Sequence, residues 1–211
     1  MKYPHACLQI FARAPETGKV KTRLIPSLGA DGAARLQSAL THRTLAMTTG
    51  ARLCPVELWC SPDRYHPFFT HCRRQYPVTL HDQVTGHLGE KMKCAIANGL
   101  AHSRYVILVG TDCPVLCSED IVETLNHLDQ GADVSLKPAE DGGYVLIGMR
   151  KRVDTIFDGI PWGTGDVMKI TRQRLHELSV EYRETPVTWD LDRPDDLHRY
   201  RETSGAAVTR Q

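Results

Sequence analysis

The sequence has no long hydrophobic run, no marked excess of either charge and no paired-cysteine motif. Each absence removes a class of protein. In 211 residues no apolar run approaches the ~18 needed to cross a bilayer as a helix. The apolar stretch Ala6–Ala12 is short and ends at Arg13, the wrong length and flank for a secretion signal. With 26 Lys and Arg against 25 Asp and Glu, the formal charge is +1. A dedicated nucleic-acid or membrane-surface binder shows a strong basic excess, so neither partner is expected. The seven cysteines are odd in number and contain no Cys-x-x-Cys. Cys113 and Cys117 stand at a loose metal-ligand spacing without a second Cys/His pair, and the ten histidines form no His-x-x-x-His. Structural zinc is therefore not expected, and the simplest setting is a cytoplasm that keeps thiols reduced.

What remains is an ordinary globular composition, 41% hydrophobic and 24% charged. No repeat, low-complexity tract or linker divides the chain. The expected organisation is one domain over residues 1–203 and a flexible tail over 204–211. A chain of this size buries about 70% of its unfolded surface and needs no staple.

Strand and helix patterns alternate. Ala6–Ala12 reads as a strand, followed by the loop Arg13–Leu28. A helix is predicted from about Asp31 to Thr48, with Ala33, Leu36, Leu40, Thr44 and Met47 on one face. Val56–Cys60 and Val78–Leu80 read as strands, and Leu88, Met92, Ala95 and Leu100 mark a second helix. Tyr105–Val109 has the uninterrupted apolar character of a strand buried on both faces of a parallel sheet. A helix with Ser118 as its N-cap carries Ile121, Val122, Leu125 and Leu128 inward. The strands Ala132–Leu136 and Tyr144–Ile147, a helix over Asp166–Leu178 and a short helix from Pro194 complete the set. Such alternation predicts an α/β sandwich: a mostly parallel, twisted sheet with helices on both faces.

Chemistry concentrates in the loops. Arg13, Lys19, Lys21 and Arg23 crowd the loop after the first strand, where open α/β sheets bind ligands. Gly18 would let the backbone approach an anion, and the basic side chains would neutralise phosphate. A P-loop is excluded, because Arg13 and Val20 stand where Gly and Ser/Thr are required. The competing reading is a solvated basic loop. Asp112, in Gly110-Thr111-Asp112-Cys113-Pro114, follows the most apolar strand and can hold Mg²⁺ or Mn²⁺ against a phosphate, or can serve as a turn residue before Pro114. Glu140-Asp141-Gly142-Gly143-Tyr144 reads as a turn, or as backbone access to a substrate with charge from Asp141 or Glu140. Asp195 and Asp196 suit the first turn of the last helix, whereas Asp190 and Asp192 precede it, and either can be a second metal ligand. Trp162-Gly163-Thr164 reads as a helix entry. His66, His87 and Glu140 are alternative bases among which spacing does not choose.

These segments, in this order, resemble the bacterial GT-A-like transferases once called selenodomain-associated transferases. The resemblance rests on Phe11–Pro15 with Gly18–Leu24, Leu88–Met92, Gly110–Pro114, Pro138–Tyr144, Phe157 with Trp162–Thr164, and Asp190–Pro194, and it spans about residues 6 to 200. More distantly the chain is similar to 2-phospho-L-lactate and molybdenum cofactor guanylyltransferases. The resemblance implies a single-domain nucleotide-diphospho-sugar transferase fold. It implies nucleotide and phosphate contacts at Arg13, Gly18, Lys19, Lys21 and Arg23, and catalytic roles for Asp112 and Asp141. Substrate contacts would come from Gly142, Gly143, Tyr144, Trp162 and Thr164. A Mg²⁺ or Mn²⁺ ion would sit at Asp112, with Asp192 favoured as its second ligand. Arg193 departs from the pattern, since relatives usually carry Thr there. The implied partners are a nucleotide sugar, or a nucleoside triphosphate, and a small-molecule acceptor. Glycosyl transfer, nucleotidyl transfer and nucleotide binding without turnover are the three readings carried forward, in that order.

Overall fold

Strand β4 (Tyr105–Val109) is buried along its whole length because it lies in the middle of a sheet with helices on both faces. The computed structural model describes residues 1–208 of the chain. On one side β4 pairs in parallel with β1 (Ala6–Arg13), and on the other it pairs antiparallel with β6 (Tyr144–Met149). With β2 (Val56–Ser61), β3 (Thr79–Asp82), β5 (Val134–Pro138) and β7 (Tyr182–Glu184), the sheet order is β3-β2-β1-β4-β6-β5-β7. Only β6 runs against its neighbours; the other strands are mutually parallel. The expected single-domain, mostly parallel α/β architecture is the one observed.

Because side chains alternate along a strand, β4 feeds two cores. Ile107 and Val109 join Leu8, Ile10 and Leu58 beneath α1 (Ile25–Gly50), α2 (Pro67–Gln75) and α4 (Ser118–Asp129). Val106 and Leu108 join Trp59, Leu136 and Ile147 beneath α3 (Leu88–Leu100) and α5 (Val167–Glu177). Each fully buried large apolar side chain contributes about 1.5–3 kcal/mol, so the two layers account for most of the driving force. A smaller cluster of Leu24, Trp189, Leu191 and Leu197 fastens the loop after β1 to the start of α6 (Pro194–Val208) and the segment before it.

Several boundaries differ from the sequence reading for identifiable reasons. Helix α1 starts at Ile25 rather than Asp31: Pro26 begins a first turn, and Gly29, at φ 69° and ψ 164°, kinks the chain before the predicted amphipathic stretch. The N-cap of α4 is Cys117, not Ser118; the Asp120 carboxylate accepts the Cys117 backbone N–H at 3.0 Å. Two elements escaped prediction. Helix α2 has only nine residues, started by Pro67 and capped by His66, whose Nδ1 accepts the Phe68 N–H. Strand β7 has three. Helix α6 (Pro194–Val208) runs into the stretch expected as a tail, and residues 209–211 lie outside the described residues.

Candidate active site

In a sheet ordered this way the connections leave β1 and β4 in opposite directions, which opens a crevice beyond their carboxyl ends. The crevice is a cleft of about 810 Å³. The antiparallel β6 enters the sheet from this end, so its first residue, Tyr144, lines the same cleft as the ends of β1 and β4.

One wall is basic. Arg13 ends β1, and Lys19, Lys21 and Arg23 follow on the loop, all lining the cleft. Lys21 adopts a left-handed backbone, φ 47°, at the entry to a short 3-10 turn over Thr22–Leu24. Its side chain is only 3% exposed; Nζ lies 2.7 Å from Asp112 Oδ1 and donates to the Leu191 carbonyl at 2.6 Å. Arg23 pairs with Asp192, and Lys19 pairs with Glu16 at 2.8 Å. Arg13 has no ion-pair partner among the described residues. Gly18 has a φ of 78°, which a turn there requires, but it is not part of the cleft wall.

The opposing end is acidic. Asp112 follows β4 and is half exposed, and its carbonyl accepts the Leu191 N–H at 2.8 Å. Asp141 lines the cleft, and its Oδ1 accepts the Gly143 N–H at 2.8 Å within the turn. Asp190 is the sharpest case. Burial, and then the charges of Asp141, Asp112 and Asp192, push its carboxyl up to about 6. Four carboxylates therefore meet two paired cations, Lys21 and Arg23. A divalent cation would relieve that excess, and an all-oxygen donor set suits Mg²⁺ or Mn²⁺. Asp192 is already engaged by Arg23, whereas Asp190 sits among the other carboxylates. Asp192, the favoured second ligand, and Asp190 both line the cleft with Asp112.

Gly143, Tyr144, Trp162 and Thr164 form a further wall. The rings of Tyr144 and Trp162 meet edge to face, with centroids 6.3 Å apart, and burial pushes the Tyr144 phenol well above its ordinary range. The Thr164 hydroxyl donates to the Pro161 carbonyl at 2.8 Å. Gly142 does not line the cleft. Its φ is 89°, an added Cβ would lie 2.2 Å from the Gly165 carbonyl oxygen, and its own carbonyl accepts the Met168 N–H at 2.7 Å. Its job is to seat the turn on the start of α5. Among the candidate bases, His87 reaches the cleft wall but caps α3 in a reciprocal pair with Glu90. His66 caps α2, and Glu140 pairs with Arg199, which stacks on Trp189. Gln37, Gln83 and Lys91 line the cleft without having been singled out. Gln37 had a readable signal: it is a polar residue on the buried face of α1, where its amide donates to Thr111 Oγ1 at 3.2 Å.

Fold and cleft together define the class: an α/β fold of the nucleotide-diphospho-sugar transferase type. Within it, the chain belongs to the family described as "Uncharacterized protein conserved in bacteria (DUF2064)", which matches residues 44–164. It is similar to a "putative nucleotide-diphospho-sugar transferase" from Desulfovibrio desulfuricans G20, with 31% identity and a TM-score of 0.82 over 90% of this chain and 83% of the other. A CMP:2-keto-3-deoxy-manno-octonic acid synthetase complexed with CTP shares the fold at 13% identity and a TM-score of 0.60, over 96% of this chain and 99% of the other. So does Rv0371c from Mycobacterium tuberculosis H37Rv, in complex with manganese, at 16% identity and a TM-score of 0.51 over 93% and 97%. No curated protein matches the sequence. No helix among the described residues is long and apolar enough to cross a membrane.

Proposed function

We propose that the protein is a metal-dependent transferase of the bacterial GT-A-like (selenodomain-associated) kind, moving a sugar from a nucleotide-diphospho-sugar to a small-molecule acceptor. One observation carries this reading: the basic loop and the acidic turns meet in a single cleft, with Lys21 and Asp112 2.7 Å apart at the junction. The name of the 31%-identical relative supports the donor class, and the manganese complex of a more distant one supports the cation.

In this reading Arg13, Lys19, Lys21 and Arg23 face the diphosphate, while Tyr144 and Trp162 offer an aromatic wall to the base or sugar. Three of those four cations are paired with carboxylates, and Arg13 has no ion-pair partner among the described residues. Asp112, with Asp190 or Asp192, would hold Mg²⁺ or Mn²⁺, which supplies Lewis-acid stabilisation of the departing diphosphate. Asp141 keeps one carboxylate oxygen on the Gly143 N–H and offers the other to the acceptor hydroxyl, whose proton it takes as the glycosidic bond forms.

A second reading, nucleotidyl transfer from a nucleoside triphosphate to a phosphorylated small molecule with release of pyrophosphate, draws on Gly110. Glycosyltransferases of this fold generally use Asp-x-Asp, and here glycine stands two residues before Asp112. The test is a panel of nucleotide sugars and nucleoside triphosphates, each with and without Mn²⁺, read by thermal shift and by product. A ligand 100-fold above its dissociation constant adds about 2.7 kcal/mol to stability. Release of nucleoside diphosphate from a nucleotide sugar is expected. Stabilisation by triphosphates above every nucleotide sugar, with pyrophosphate as product, would overturn the glycosyl reading. Asp112→Asn is expected to lose the Mn²⁺-linked part of the shift.

A further inference from the structure

A polar cluster interrupts the core on the sheet face that α3 covers, at the amino ends of β1 and β2 and so at the opposite end of the sheet from the cleft. Its centre is Glu57, 7% exposed. One carboxylate oxygen, Oε2, accepts from Gln9 Nε2 at 3.1 Å and from Trp59 Nε1 at 2.9 Å. The other, Oε1, faces His102 Nε2 at 3.3 Å and His81 Nε2 at 3.8 Å. The Cys7 thiol is buried beside it. The ligating atoms of Cys7, Glu57 and His102 all lie within 4.8 Å of one another.

Burying a carboxylate is costly unless a counter-charge accompanies it. Among the described residues the ion-pair partners of Glu57 are histidines alone, with no Lys or Arg. Two further signs mark the cluster as incomplete: Gln9 Oε1 and His81 Nε2 are buried and have no hydrogen-bond partner. The two donors on Oε2 fix the direction of the carboxylate, as outer partners of a metal-bound carboxylate do, and aim Oε1 at His102, one of the two other candidate ligands.

We propose that Cys7, Glu57 and His102 form a binding site for a zinc-class divalent ion, distinct from the nucleotide cleft. Thiolate, carboxylate and neutral imidazole give a set that just neutralises a 2+ ion. The thiol proton passes to solvent as the sulfur–metal bond forms. Thiolate and imidazole select zinc-class ions over Mg²⁺, which prefers an all-oxygen set. Three protein ligands leave the fourth tetrahedral position to water. Entry is past His102, whose side chain is 52% exposed on the turn after α3. No spacing rule reveals such a site, because its ligands come from three separate elements.

Co²⁺ is the probe, since a cobalt–thiolate bond gives an intense near-ultraviolet charge-transfer band and a tetrahedral site gives visible absorption. The Asp112→Asn chain, which lacks the carboxylate site of the cleft, is expected after stripping with chelator and dialysis to take up one Co²⁺ with both features, and Zn²⁺ should displace it. Cys7→Ser should abolish the charge-transfer band, and His102→Ala should weaken binding at least tenfold. Trp59→Phe, which removes one donor to Oε2, should weaken it about 10- to 100-fold. Cys113→Ser, at the thiol that lines the cleft, and Asp112→Asn should leave the band intact. No band in the unmodified protein, persistence in Cys7→Ser, or loss in Cys113→Ser would each overturn the assignment. If circular dichroism shows Cys7→Ser unfolded, unchanged Co²⁺ affinity in the exposed His102→Ala variant does so instead.

Discussion

Replacing Lys21 with methionine separates its structural work from its electrostatic work. The side chain is 3% exposed and makes two contacts: an ion pair with Asp112 and a hydrogen bond to the Leu191 carbonyl. The pair is the lesser loss. Asp112 is 50% exposed, so water takes over its solvation, and an exposed pair contributes ~1 kcal/mol or less. The Leu191 carbonyl is different, because methionine covers it without donating to it. Stranding a buried acceptor costs about 1–3 kcal/mol. Lys21→Met is therefore expected to lose about 1–3 kcal/mol of stability, or roughly 2–12 °C in Tm for a domain of this size. Urea denaturation with and without Asp112→Asn forms the cycle that assigns the loss. The Lys21→Met cost should persist in the Asp112→Asn background to within ~1 kcal/mol. A variant as stable as the parent, or a cost that vanishes in that background, would refute the placement of Nζ on the Leu191 carbonyl.

Other substitutions test other parts of the fold. Gly142→Ala meets both a left-handed φ and the Gly165 carbonyl oxygen at 2.2 Å, so it should cost several kcal/mol, whereas Gly18→Ala meets open space and should cost only the ~1–2 kcal/mol of its backbone. Equal Tm losses for the two would contradict the packing of the turn on α5. Burial pushes the Asp133 carboxyl up, but hydrogen bonds from Arg150 at 2.7 Å and Lys151 at 3.1 Å, and their charges, more than offset it and hold the carboxyl below its ordinary range. A depressed carboxylate contributes stability that is fully present above its unfolded pKa, about 3.9, and lost as pH falls through the folded value. The stability advantage over Asp133→Asn should accordingly shrink below about pH 4 and stay flat from pH 5 to 7; an advantage that grows on acidification would contradict it. Phe157→Ala, at a 1%-exposed position beneath α3 and α5, should cost about 3–5 kcal/mol in urea denaturation.

Much of this fold was legible because burial writes itself into composition. Tyr105–Val109 is apolar at every position, since both of its faces are covered, and the strand end therefore located Asp112 directly. The basic cluster at Arg13–Arg23 was equally visible as local charge. Short elements were not. Helix α2 offers only Phe69 and Cys72 as buried residues, too few to set a period, and the three residues of β7 alternate with nothing. Pairing was also hidden: neither the seat of Lys21 on Leu191 nor the crowding of Asp190 by Asp141 and Asp112 follows from neighbours in sequence. The same is true of Cys7, Glu57 and His102, which looked like scattered residues until the sheet register aligned two of the strands that hold them.

The bond from Lys21 to the Leu191 carbonyl spans 170 residues. The β5–β6 hairpin, by contrast, closes over a single short turn. Local pairings reward the chain early, and distant ones only after a large loop has been closed. The glycine turn can thus form while the chain is still emerging from the ribosome, but the junction of loop and carboxylates waits for the segment around Leu191. A nascent chain short of that point can carry most of the sheet and still lack a finished cleft, so the cleft is among the last features of this fold to close.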